Sequence, residues 1–173
     1  MSLAHVVSMK SRSAGKYYFE VEMLQFDVPI YEISEVGITR DNPPLSYDQA
    51  SNRGATLKGD GDCAIEGSGG DTQFGERSEA LDVFGVAVDF NAANPNNVLV
   101  WFCKNGVWGN GGDPEAGTGS ASEGLDLPSG TYFAAASAGE MDGFTHEFQP
   151  RLRARADQFL LGLPVGFLPW EGD

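Results

Sequence analysis

Glu20 and Glu22 are two residues apart in a run of alternating apolar and polar residues. On a strand that spacing sets both carboxylates on one face, ~6.8 Å apart by the strand rise. Paired carboxyl groups at about 5–9.5 Å are what glycoside hydrolysis needs. Lys16 and Tyr18 share the face, however, which is the composition of a solvent-exposed strand rather than of a sugar cleft. Asp60-Gly61-Asp62, with Glu66 and Asp71, offers the hard oxygen donors that calcium prefers, without the spacing of an EF-hand loop. Asp89, in Val88-Asp89-Phe90-Asn91, stands at a strand end as metal-holding aspartates of legume lectins do, but lacks their following aspartate. Nucleophilic hydrolysis fails on inventory: no Gly-x-Ser-x-Gly elbow occurs, and only His5 and His146 are available as bases. His146 alternates with Thr145 and Glu147 and reads as a surface or edge residue. Neither a Walker loop nor Gly-x-Gly-x-x-Gly is present. No catalytic residue, metal site or cofactor is therefore expected.

The elements that would position these groups are strands. Asp82 to Phe90 and Val98 to Trp108 are rich in β-branched and aromatic residues, and Asn91 to Asn97 between them is turn chemistry throughout. Asn105-Gly106 tolerates positive φ and predicts a tight type I′ hairpin. Gly15 to Met23 reads as a strand with Tyr17, Phe19, Val21 and Met23 buried, and with Lys16, Tyr18, Glu20 and Glu22 on a mostly wet face. Further strands are predicted over Ala4–Met9, Ile33–Thr39, Gly130–Ser137 and Gly143–Phe148, with weaker ones over Ala55–Leu57 and Cys63–Ile65. No sustained helical period occurs. Gly109 to Leu127 is expected to be a long mobile loop. Short strands separated by polar turns predict an all-β fold, a two-sheet antiparallel β-sandwich.

Composition narrows the function. The 173 residues fit one domain over 1–173, with a hydrophobic fraction of 41% sufficient for a core. The net charge of −14, from 25 acidic and 11 basic residues, repels phosphate backbones and argues against nucleic acid. The apolar tract Gln158–Trp170 is shorter than the ~20 residues of a spanning helix and is broken by prolines and glycines, so no membrane partner is expected. Arg151, Arg153 and Arg155 alternate on one strand face, which fits a solvated edge or an anion contact. Cys63 and Cys103 lack metal spacing, and their redox state is left open. No signal peptide opens the chain, so a cytoplasmic or virion-associated location is expected over secretion. The abrupt start fits a domain cut from a longer protein.

Five motifs in order resemble the SPRY domain: Gly15-Lys16-Tyr17-Tyr18-Phe19-Glu20-Val21; Glu35-Val36-Gly37-Ile38; Asp82–Asp89 leading to Trp101-Phe102-Cys103-Lys104-Asn105-Gly106-Val107-Trp108; Gly130-Thr131-Tyr132-Phe133; and Pro164-Val165-Gly166-Phe167. The resemblance spans nearly the whole chain, without a separate PRY-like region. Its ending and its Gly111–Thr118 loop resemble bacterial and phage members, and Gln149–Gln158 reads as an insertion that leaves the last pairing open. The family implies a concanavalin-like sandwich that recognises a protein or peptide through loops at one end and is not an enzyme. In that family the loop after the Val-Gly-Ile strand helps form the recognition surface, which here implies Arg40, Asp41 and Tyr47 as partner-binding residues. The alternatives are a lectin-like module binding carbohydrate with calcium, and a structural part of a phage or cell-surface assembly.

Overall fold

The computed structural model describes residues 3–24, 34–40, 53–66, 72–75, 81–90, 97–125, 127–139 and 150–172. Its strands are β1 (Leu3–Arg12), β2 (Lys16–Met23), β3 (Ser34–Thr39), β4 (Gly54–Lys58), β5 (Asp62–Ile65), β6 (Thr72–Gln73), β7 (Val83–Asp89), β8 (Leu99–Lys104), β9 (Val107–Trp108), β10 (Tyr132–Gly139), β11 (Pro150–Arg153) and β12 (Leu168–Pro169). One sheet runs β1-β10-β3-β4-β5-β6 and the other β11-β2-β7-β8-β9. No α-helix occurs among the described residues. The predicted two-sheet sandwich is the observed fold.

Period-two alternation places the core between the sheets. Phe19, Val21 and Met23 on β2, Phe84, Val86 and Val88 on β7, and Val100 and Phe102 on β8 face Val36, Ile38, Leu57, Ile65, Ala134 and Ala136 of the opposing sheet. Each fully buried side chain of this size contributes about 1.5–3 kcal/mol relative to exposure. Glycine is required where β3 lies beside its antiparallel neighbour β4: a Cβ on Gly37 would strike the Ala55 carbonyl oxygen.

The Asn105-Gly106 hairpin has the predicted form. Both residues have positive φ, 51° and 84°, and the register Cys103↔Trp108, Lys104↔Val107 leaves a two-residue loop. Asn105 also ties the hairpin to the start of β7. Its side-chain oxygen accepts from Val83 N at 2.9 Å, and its amide donates to Asp82 Oδ1 at 2.7 Å. The separation of Asp82 from Lys104-Asn105-Gly106 is therefore a contact across a strand pair.

Several expectations are corrected or completed. The loop expected to be mobile is tied to β8 through residues 121 and 122: Ala121 N donates to Val100 O at 2.7 Å, and Ser122 Oγ accepts from Val100 N at 3.0 Å and donates to Val98 O at 2.8 Å. A serine hydroxyl there stands in for a neighbouring strand, which composition alone does not reveal. The stretch read as an insertion supplies β11, antiparallel to β2, while β12 pairs parallel to the same edge of β2. Both cysteines are buried and stand outside any disulfide. The strand predicted over Gly143–Phe148 lies outside the described residues.

Candidate functional site

The wet face expected for β2 is not wet. Glu20 is fully buried, and so is Tyr18 beside it at 1% exposure. Residues 154–170 cross this outer face as a strap, placing Phe159 and Phe167 over Tyr18, Ala87 and Trp101 in a second apolar cluster. Alternation distinguishes two faces but does not say whether the polar-looking one meets water or a further layer of chain. Glu20 is the latch. Its carboxylate accepts from Leu160 N at 2.6 Å, from Leu161 N at 3.0 Å and from Tyr18 Oη at 3.0 Å. Neighbouring Glu22 accepts from Arg153 at 2.5 Å and lies 3.5 Å from Arg151. The two carboxylates are thus committed to backbone amides and arginines, which is incompatible with acid–base work on a sugar. Gly85 makes the layer possible, since a Cβ there would lie 2.5 Å from Tyr18 Oη and 2.6 Å from Cys103 Sγ. Burial pushes the Cys103 thiol up to about 11, so it keeps its proton well above neutral pH.

The strap ends inside the sandwich. Trp170 is fully buried against Tyr17, Phe19 and Phe90, and its indole donates to Lys10 O at 2.9 Å. Arg12 donates to Trp170 O at 2.5–2.8 Å and to Gly172 O at 3.0 Å, with its guanidinium 4.3 Å from the Tyr17 ring centre. The sequence signal for this element was the apolar tract Gln158–Trp170, read there only for being too short to span a membrane.

The acidic residues considered for calcium separate. Asp60 Oδ1 accepts from Asp62 N at 3.0 Å, closing the turn before β5, whereas Glu66 follows β5 and pairs with Arg40. Asp62 and Glu66 are then about 13 Å apart along the strand. Asp89 faces Lys16 Nζ at 3.0 Å. Asp71 lies outside the described residues, as do the side chains of both histidines.

Of the implied partner-binding residues, Arg40 stands at the end of β3, where its backbone N donates to Arg53 O at 3.0 Å. Its side chain keeps 33% of its surface exposed, pairs with Glu66 and lies 5.7 Å from the Tyr132 ring centre. Gly130 leaves room for it, because a Cβ there would sit 3.2 Å from Arg40 Cδ. Burial pushes the Tyr132 hydroxyl up to about 12, against the lowering effect of Arg40. Asp41 and Tyr47 lie outside the described residues. Arg40 lies over Tyr132, whose ring packs against Phe90 just after β7, while Leu57 at the other end of β4 lies with Lys104 and Asn105; Arg40 is therefore at the end of the sandwich opposite to the Asn105-Gly106 hairpin.

A cleft of about 260 Å³ opens on the outer face of the second sheet, near the hairpin. Tyr18, Cys103 and Trp108 form its floor and wall, Leu161–Pro164 of the strap one bank, and Asp113 and Glu115 the other. Asp113 Oδ1 caps its own turn, accepting from Glu115 N and Ala116 N, each at 3.0 Å. Glu115 Oε1 accepts from Val165 N at 2.7 Å and so joins the two banks. The sequence reading passed over this cleft, because strap and loop are about 50 residues apart in the chain.

No protein-family model and no curated protein matches the sequence. Solved structures do. The chain is similar to a human SPRY domain at 18% identity with a TM-score of 0.59, covering 87% of this chain and 84% of that one. It is also similar to the SPRY domain of human HERC1, at 11% identity and a TM-score of 0.56, covering 87% and 80%. The order of motifs, the sandwich and these two likenesses agree: the chain has the SPRY fold.

Proposed function

We propose that this chain is a non-enzymatic recognition module that binds a protein or peptide through loops at one end of its SPRY-like sandwich. The observation that carries the reading is the setting of Arg40. A part-exposed guanidinium is held between the Glu66 carboxylate and the Tyr132 ring, just before Asp41 and Tyr47 in the sequence. Arginine and tyrosine concentrate binding energy at interfaces, since they bury much area at little entropic cost. A rigid sandwich presents such loops without endangering its core. The burial and pairing of Glu20 and Glu22 add weight, because they take the most enzyme-like carboxylate pair out of reach of substrate.

The test is affinity capture from the lysate of its source cell with wild type, Arg40→Ala and Tyr47→Ala. One protein retained by wild type and lost by both variants, with melting temperatures within a few degrees, is expected. Retention indifferent to both substitutions would remove Arg40 and Tyr47 from the surface. Turnover of a glycan or ester by the purified chain would overturn the non-enzymatic reading.

A further inference from the structure

The cleft between the strap and the Asp113 loop is separate from the Arg40 end, and its chemistry is one-sided. Its aromatic members are Trp108, half-buried, and Tyr18, whose ring centre lies 6.5 Å from that of Trp108. The Tyr18 hydroxyl is spent on Glu20, and Tyr18 and Cys103 are almost wholly buried, so the aromatic surface open to a ligand is that of Trp108. Exposed Asp113 and Glu115 supply two formal negative charges on one bank. Each uses one carboxylate oxygen on backbone amides of the loop or strap, and neither forms an ion pair among the described residues. Among the described residues lining the cleft, none is basic. Its volume is below the ~300–1,000 Å³ of pockets for drug-sized ligands, so it suits one side chain better than a whole small molecule.

An accessible indole beside carboxylates with no cationic partner selects cations: the ring quadrupole and the carboxylates both favour positive charge, and a desolvated guanidinium gains from each. Exposed apolar groups of the strap flank the cleft, with Leu163 at 38% and Val165 at 76%. They fit the neighbours of an inserted basic residue in an extended peptide. A second copy of this chain is a poor occupant, because it brings its own net charge of −14. We propose that this cleft is a second binding site, and that it accepts an arginine side chain from a peptide with apolar residues on either side.

The probe is the acetylated, amidated pentapeptide Gly-Leu-Arg-Leu-Gly, paired with its citrulline counterpart, which keeps the shape and loses the charge. Binding is followed by the indole N–H resonance of Trp108, identified by its disappearance in Trp108→Phe. The arginine peptide should move this resonance and bind at least tenfold more tightly than the citrulline peptide at low salt. Combined Asp113→Asn and Glu115→Gln substitutions, which keep the oxygens that the loop needs, should erase that ratio. Combined Asp60→Asn and Glu171→Gln, removing as much charge elsewhere, should leave it intact. Equal affinity for the two peptides, or loss of the ratio in both double variants, would overturn the proposal. So would a Trp108 shift that depends on protein concentration without peptide, which would place a second copy in the cleft. Arg40→Ala should leave the ratio unchanged, so failure here and failure of the end-loop reading are separate results.

Discussion

Glu20→Gln tests whether one buried carboxylate holds the C-terminal strap to the sheet. The carboxylate accepts three hydrogen bonds, at 2.6, 3.0 and 3.0 Å, and is fully inaccessible to water. Glutamine has nearly the same shape but only one oxygen. An NH2 group in place of Oε2 faces Leu160 N, and one in place of Oε1 faces both Leu161 N and Tyr18 Oη, so at least one backbone donor is left unpaired whichever way the amide turns. A hydrogen bond to a charged group is worth about 1.5–3 kcal/mol, and a stranded buried donor costs about 1–3 kcal/mol. These describe overlapping parts of one loss, so the expected destabilisation is about 2–4 kcal/mol, less than the ~5–15 kcal/mol of a typical domain. The variant should therefore fold with a loosened strap. Urea unfolding followed by tryptophan fluorescence gives the global loss, and amide hydrogen exchange at Leu160 and Leu161 gives the local one. At a factor of ten per 1.4 kcal/mol, exchange at those amides should accelerate roughly 30- to 700-fold. A variant within ~0.5 kcal/mol of wild type, with both amides as slow as before, would show that the apolar contacts of Phe159 and Phe167 hold the strap without Glu20.

Two further outcomes follow from the same layers. The Cys103 thiol is raised from its ordinary 9.0 to about 11, chiefly by burial, so the folded chain keeps a proton that the unfolded chain loses. Its contribution is complete below pH 9 and is lost as pH rises toward 11; at about 1.4 kcal/mol per unit it amounts to about 2–3 kcal/mol. Cys103→Ser should flatten the fall in stability between pH 9 and 11, and an identical pH slope in variant and wild type would count against a buried, protonated thiol. Trp170→Ala removes a fully buried indole and the carbonyl geometry that Arg12 grips, and should cost about 3–5 kcal/mol by urea unfolding. A loss below 1 kcal/mol would mean that the chain end is not part of the core.

Much of this architecture was legible in the chain because it depends on local rules. Alternation along Tyr17–Met23 and Phe84–Val88 fixes which side chains enter the core, since period two leaves a strand only two faces. Asn105-Gly106 specifies a hairpin because its positive φ values are cheap for those residues and few others. The Arg40 surface rested on the family resemblance, and two of its three residues lie outside the described structure. The covered face of β2 was not legible. Lys16, Tyr18, Glu20 and Glu22 read as solvent-facing, yet Glu20 and Tyr18 are sealed by residues about 140 positions later. The same long-range docking makes the strap, places Trp170 in the core and opens the acidic, aromatic cleft. Sequence by itself determined the strands, their inward faces, the hairpin and the negative charge, because each is set by neighbours in the chain. Only the tertiary structure decided which outer face is covered and where a cleft remains, because those depend on segments far apart in the chain burying apolar surface and satisfying one buried carboxylate together.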